Sequence, residues 1–158
     1  MKYDIKIDKS GDKYYYVNNV LHREDGPAIE YADGEKRWFK NGDLHREDGP
    51  TIEYADGSKH WYKNNLLHRE EGPACECANG DKIWYKSGKL HREDGPAIEY
   101  VDGEKHWYKS GKLHREDGPA IEYINGFKQW NLKGEYYGEN DKFTIQSWKI
   151  FIKTIIFS

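Results

Sequence analysis

A phrase that returns every 23 residues constrains this chain more than any other feature. Its cleanest copy, LHREDGPAIEYVDGEKHWYKSGK, runs from Leu90 to Lys112; equivalents begin at Leu21, Leu44, Leu67 and Leu113, so five copies fill residues 21–135. A fixed period over most of a chain means that each copy is one supersecondary unit, which buries its apolar face by stacking on its neighbours. Residues 1–20 read as a degenerate leading copy. Ser10-Gly11 falls in the slot of Asp33-Gly34, Tyr15 in that of Trp38, and Asn18-Asn19 in that of Asn41-Gly42. Residues 136–158 break the pattern and read as a C-terminal cap.

Two turn signals recur in each copy. The first is Asp33-Gly34, Asp56-Gly57, Asn79-Gly80, Asp102-Gly103 and Asn125-Gly126; the second is Asn41-Gly42, Asn64-Asn65, Ser87-Gly88, Ser110-Gly111 and Lys133-Gly134. Such pairs tolerate the positive φ of two-residue hairpin loops, and the segments between them are rich in Ile, Tyr and Trp, so the unit reads as antiparallel strands. Pro27, Pro50, Pro73, Pro96 and Pro119 cannot donate to a ladder and imply a bend in the longer strand.

A two-residue loop at both turns predicts the register. Around Asp102-Gly103 it sets Tyr100 against Lys105, Glu99 against His106 and Ile98 against Trp107; around Ser110-Gly111 it sets Tyr108 against Leu113 and Trp107 against His114. Glu30 then meets Arg37, Glu53 meets His60 and Glu122 meets Gln129. One face is expected to carry Ile98, Tyr100, Trp107 and His114, the other Ala97, Glu99, His106, Tyr108 and Leu113. The invariant Trp38, Trp61, Trp84, Trp107 and Trp130 are expected to hold the sheet together, with His22, His45, His68, His91 and His114 packed beside them.

Two repeat folds suit this unit. In a parallel β-helix, Lys36, Lys59, Lys82, Lys105 and Lys128 would stack at about 4.8 Å as a ladder of like charge, whereas a meander with two strands per copy doubles that spacing. The expectation is therefore an all-β, elongated, single-layer antiparallel meander, with the parallel β-helix as its alternative. In the last segment Ile145, Trp148, Ile152 and Ile155 recur at helical spacing behind Thr144 as N-cap, which predicts a short capping helix. Its apolar end, Ile150 to Phe157, leaves peripheral membrane attachment as a second reading.

Charged residues make up 34% of the chain and mean hydropathy is −1.09, but 15% aromatic content, placed periodically, supplies the apolar surface that disordered chains lack. A net charge of −3 with interspersed signs gives no electrostatic ground for nucleic-acid binding. The start of the chain lacks the apolar core of a signal peptide, so a cytoplasmic protein is expected. Cys75 and Cys77, two apart on one strand, read as reduced thiols.

The period, an aromatic followed by Asn-Gly, His three residues beyond that Gly, and Asp-Gly closing the next hairpin resemble the MORN repeat. They are closer still to the MORN-variant repeats common in bacterial and viral proteins. The resemblance covers residues 21–135 and implies an antiparallel single-layer sheet that serves as an interaction or scaffolding module. Arg-Glu-Asp-Gly-Pro after each His replaces the usual Gly-x-Gly, and its acidic residues weigh against the lipid binding proposed for some members.

The His ladder with its Arg, Glu and Asp neighbours could be taken for metal ligands or an acid and base. Metal sites need three or four donors on one ion, and single His residues about 9–10 Å apart do not converge. No nucleophile motif, phosphate loop or zinc spacing is present, so neither enzymatic activity nor a cofactor is expected. A protein partner along one aromatic face is the expected function, with Phe39, Tyr62, Tyr85 and Tyr108 as the candidate contact residues.

Overall fold

The computed structural model describes residues 2–156, which fall into two compact units divided between Asn79 and Gly80. Both are built from short antiparallel strands; the described residues hold 22 strands, one 3-10 turn and one α-helix. In the first unit the ladder starts with β1 (Asp4–Ile7) and β2 (Lys13–Val17). It continues through Ile29–Glu30, Lys36–Arg37, Ile52–Glu53, Lys59–His60 and Cys75–Glu76. In the second it runs Lys82–Ile83, Ile98–Glu99, Lys105–His106, Ile121–Glu122, Lys128–Leu132 and Glu135–Glu139. Neighbours in sequence are neighbours in the ladder, so the fold is a meander. The antiparallel pairing excludes the parallel β-helix.

After the Trp of each copy the chain leaves this ladder and makes a second, two-stranded hairpin, such as Tyr62–Lys63 with Leu66–Leu67 and Tyr108–Lys109 with Lys112–Leu113. Here the expected register is found, with Tyr108 opposite Leu113 and the His114 N–H donating to the Trp107 carbonyl at 3.0 Å. Ser110 and Gly111 both have positive φ, 52° and 80°, as a two-residue primed turn requires.

The first turn differs by one residue. Ile98 pairs with His106 and Glu99 with Lys105, so the loop contains three residues, Val101, Asp102 and Gly103. The Tyr100 carbonyl accepts from the Gly103 N–H at 3.0 Å, and the Tyr100 N–H donates to the Glu104 carbonyl at 3.0 Å. Only Gly103 takes positive φ, +100°. Asp102 stays right-handed because its carboxylate accepts from the Glu104 N–H at 3.0 Å, which stabilises a type I turn closed by a Gly bulge.

A slip of one residue exchanges the faces. Arg37, His60 and Gln129 therefore stand opposite Ile29, Ile52 and Ile121, not opposite Glu30, Glu53 and Glu122. Ile98, Tyr100, His106, Tyr108 and Leu113 share one face; Ala97, Glu99, Lys105, Trp107 and His114 share the other. Trp thus lies on the opposite side from the Ile and Tyr that a two-residue loop would place beside it.

The corrected register also explains the lysines. In the first unit Lys13, Glu30, Lys36, Glu53, Lys59 and Glu76 alternate across the ladder; in the second, Lys82, Glu99, Lys105, Glu122 and Lys128 do. Each lysine meets glutamate, and each cross-strand pair contributes about 0.2–1 kcal/mol.

Buried apolar residues are small and periodic: Ala28, Ile29, Ile52, Ala74 and Cys75 in the first unit, Ala97, Ile98, Ala120 and Ile121 in the second. Trp38, Trp61, Trp84 and Trp107 are only half-buried, and Trp130 alone of the five is buried. It packs with Leu132, Trp148 and Ile152 beneath helix α1 (Ile145–Ile156), flanked by Tyr137, Phe143 and Phe151. Thr144 caps this helix as expected: its Oγ1 accepts from the Ser147 N–H at 3.1 Å, and its own N–H donates to Ser147 Oγ at 2.9 Å. Ile145, assigned to the buried stripe from the sequence, is 55% exposed. Of the candidate membrane segment, Ile150 is exposed and Phe157 lies outside the described residues.

Candidate functional site

The residue that organises each copy is the arginine after the histidine. From the bent His-Arg-Glu-Asp-Gly-Pro segment, the Arg115 guanidinium lies over the Trp107 ring at 3.9 Å. Arg46 lies over Trp38 at 4.0 Å, Arg69 over Trp61 at 3.8 Å and Arg92 over Trp84 at 4.0 Å; in the leading copy Arg23 covers Tyr15 at 3.9 Å. Arg115 Nε donates to Asp117 at 2.7 Å, and Nη1 donates to the Pro119 carbonyl at 3.1 Å and to Glu122 at 2.7 Å. The same Pro and Glu partners recur for Arg23, Arg46, Arg69 and Arg92. Glu71 stands in the Asp slot of the third copy, where Gly72 takes φ +98°.

This clasp dictates the glycine. A Cβ at Gly118 would stand 2.8 Å from Arg115 Cζ, and at Gly95 2.9 Å from Arg92 Cζ. The guanidinium is thus held between an aromatic face and a bare glycine Cα, with carboxylates at its edge. The arginine hydrogen bonds hold the Asp25, Asp48 and Asp94 carboxyls below the ordinary range.

The histidines link successive two-stranded hairpins. His114 Nδ1 accepts from the Lys133 N–H at 3.0 Å and His91 Nδ1 from the Ser110 N–H at 3.1 Å, each in the second turn of its own copy, one hairpin further along the chain. Their Nε2 atoms face Glu116 at 3.2 Å and Glu93 at 3.0 Å. His22 Nδ1 likewise accepts from the Asn41 N–H at 3.1 Å, while its Nε2 is buried and 3.8 Å from Glu24. In the second copy Asn65 makes the link instead, its Oδ1 accepting from the Leu44 N–H at 2.9 Å, and His45 faces Glu47 at 3.5 Å. His68 faces Glu70 at 2.9 Å. Burial pushes the His114 pKa below its ordinary value. Among the described residues, no group of three or more His, Cys, Asp or Glu side chains is placed to hold a metal ion.

The opposite face carries aromatic side chains in contact. His60 lies between Tyr54 at 4.8 Å and Tyr62 at 6.4 Å; His106 lies among Tyr100 at 5.5 Å, Tyr108 at 6.4 Å and Tyr123 at 6.2 Å. Arg37 fills the equivalent place beside Tyr31 in the first copy. All of these are half-buried, and burial raises the Tyr54, Tyr62, Tyr100 and Tyr108 phenols above their ordinary pKa. Phe39, Tyr62, Tyr85 and Tyr108 occupy one equivalent, half-buried position each, opposite Leu44, Leu67, Leu90 and Leu113. Burial pushes the Cys75 thiol up to about 12, so it is no nucleophile; Cys75 and Cys77 are not joined by a disulfide.

The sequence signal for the arginine clasp was available: Arg is followed by Gly at three, Pro at four and Glu at seven residues in every copy. Its meaning was hidden because the stacking partner lies eight residues back, across a hairpin. The clasps also frame clefts. One of about 670 Å³ lies between Arg23–Gly26 and His45–Asp48, lined by Trp38 and Lys40; its equivalent at Trp107 and Lys109 measures about 600 Å³. No protein-family model matches the chain, and no curated protein matches it. No helix among the described residues is long and apolar enough to cross a membrane.

Proposed function

We propose that the protein is a non-enzymatic, cytoplasmic repeat scaffold of the MORN-like kind, binding another protein along its tyrosine face. One observation carries this reading: the two faces of the ladder are occupied differently. The Trp face is filled by the chain's own arginines, which satisfy its rings and leave little for a partner to add. The tyrosine face repeats half-buried rings with polar ends, and among the described residues a cation lies over its rings only near the start of the chain, Lys6 over Tyr16 and Arg37 over Tyr31; the rest is the amphipathic aromatic surface on which protein interfaces draw. Two cysteines that form no disulfide accord with a reducing compartment.

The test is affinity capture from native cells with the wild-type chain and with Tyr62→Ser and Tyr108→Ser variants of unchanged circular dichroism. A partner recovered by the wild type and lost by the variants is the expected result. A partner that all three chains hold equally well removes the tyrosine face from the binding surface.

A further inference from the structure

The two ends of the meander are finished differently. In the second unit the final copy is covered by α1, but in the first unit the ladder ends on β1, and among the described residues no strand pairs with its outer edge. All four β1 residues are exposed, including Ile5 at 55% and Ile7 at 64%. An uncovered edge with apolar side chains is a template for another strand.

Which backbone groups are free follows from the bonds already made. The Asp8 N–H donates to the Asp12 carbonyl, and β1 pairs with β2 as Lys6 opposite Tyr14 and Asp4 opposite Tyr16. Tyr15, opposite Ile5, uses its own N–H and carbonyl on Ala28 and His22, away from β1. Backbone groups alternate sides along an antiparallel strand, so those of Asp4, Lys6 and Asp8 point to β2 and those of Tyr3, Ile5 and Ile7 point outward.

The charge pattern then selects an occupant. Lys2, Asp4, Lys6 and Asp8 alternate in sign along one face. If a second copy of β1 pairs antiparallel with Ile5 opposite Ile5, Asp4 meets the other copy's Lys6, Lys2 meets its Asp8, and Tyr3 meets its Ile7. Every outward N–H and carbonyl of residues 3, 5 and 7 finds a partner. A slip of two residues in either direction sets like charge against like, Lys6 on Lys6 or Asp4 on Asp4. A slip of four restores the signs but leaves half the strand unpaired. We infer that two copies of this chain associate edge to edge through β1, on a two-fold axis at Ile5, and that the alternating charges set the register.

The test is sedimentation of the full chain over a concentration series reaching about 500 μM, since a short strand pair buries less than a standard stable interface. A wild-type dimer is expected. Asp4→Lys and Lys6→Asp each place like charges in contact twice, and each weakens dimerisation about tenfold or more; mixing the two variants restores a dimer containing one of each. Ile5→Pro removes the outward N–H while sparing the β1–β2 ladder, and also yields monomer. Circular dichroism melts establish that each variant is folded. A wild-type chain that stays monomeric, single variants that dimerise as well as wild type, or a mixture that does not recover the dimer each overturns the proposal.

Discussion

At the residue scale, the Arg-Trp-Gly clasp makes a prediction that simple deletion of a contact would not. Arg115→Lys keeps the charge but loses the planar fork and the stack on Trp107, and costs about 2 kcal/mol of stability in chemical denaturation. Gly118→Ala inserts a methyl against the guanidinium and has a comparable cost, while in the Arg115→Lys background the same methyl meets no Cζ and costs clearly less. Additive costs would mean that Gly118 serves the backbone and not the arginine. His114 supplies a second residue-level prediction. Its pKa is lowered by burial, and its Nδ1 accepts from the Lys133 N–H, which a protonated ring cannot allow. The unfolded chain then takes up the proton more readily than the folded one, so stability is complete above about pH 6.5 and declines as pH falls toward the folded pKa. Thermal melts between pH 7.5 and 5 should show this decline, and His114→Gln should flatten it; an equal decline in both chains would assign it to other groups.

At the element scale, the C-terminal helix replaces the clasp that the last copy lacks. The slot of the next arginine is Gly138, so Trp130 has no guanidinium over it and packs against Trp148 at 5.3 Å instead. Trp148 is fully buried, and its Nε1 donates to the Arg115 carbonyl at 3.1 Å. The sequence registers the change two residues after Trp130: Lys40, Lys63, Lys86 and Lys109 become Leu132, buried where the helix lies. Trp148→Ala should cost about 3–5 kcal/mol. It should also shift tryptophan fluorescence to the red as Trp130 meets water. Unchanged emission would mean that Trp130 is buried by its own ladder and not by α1.

At the scale of the whole molecule, the recurring bonds make energetics repetitive. Arg46 and Arg92 stand in different units yet make matching bonds to Asp48, Pro50 and Glu53 and to Asp94, Pro96 and Glu99. Arg46→Lys and Arg92→Lys should therefore destabilise by similar amounts, read as the shift in denaturant midpoint, and the double variant by about their sum. A double variant no worse than either single one would show that one copy governs the stability of all.

What the residues alone determined was periodic and local: the 23-residue unit, the positions of both turns, strand character between them, the Ser110-Gly111 register, and the Thr144-capped helix. Each follows from φ preferences, side-chain alternation or spacing within a few residues. The tertiary structure decided what depends on choice among locally equal options. Asp-Gly suits both a two-residue primed turn and a three-residue turn with a Gly bulge. Pairing lysine with glutamate on every strand favours the second, because the first sets glutamate against histidine, arginine or glutamine and puts Trp on the face of Ile and Tyr. The clasp is settled in the same way. An arginine beside two acids reads locally as a solvated charge run, and only the return of the chain across its own hairpin brings the Trp ring beneath it.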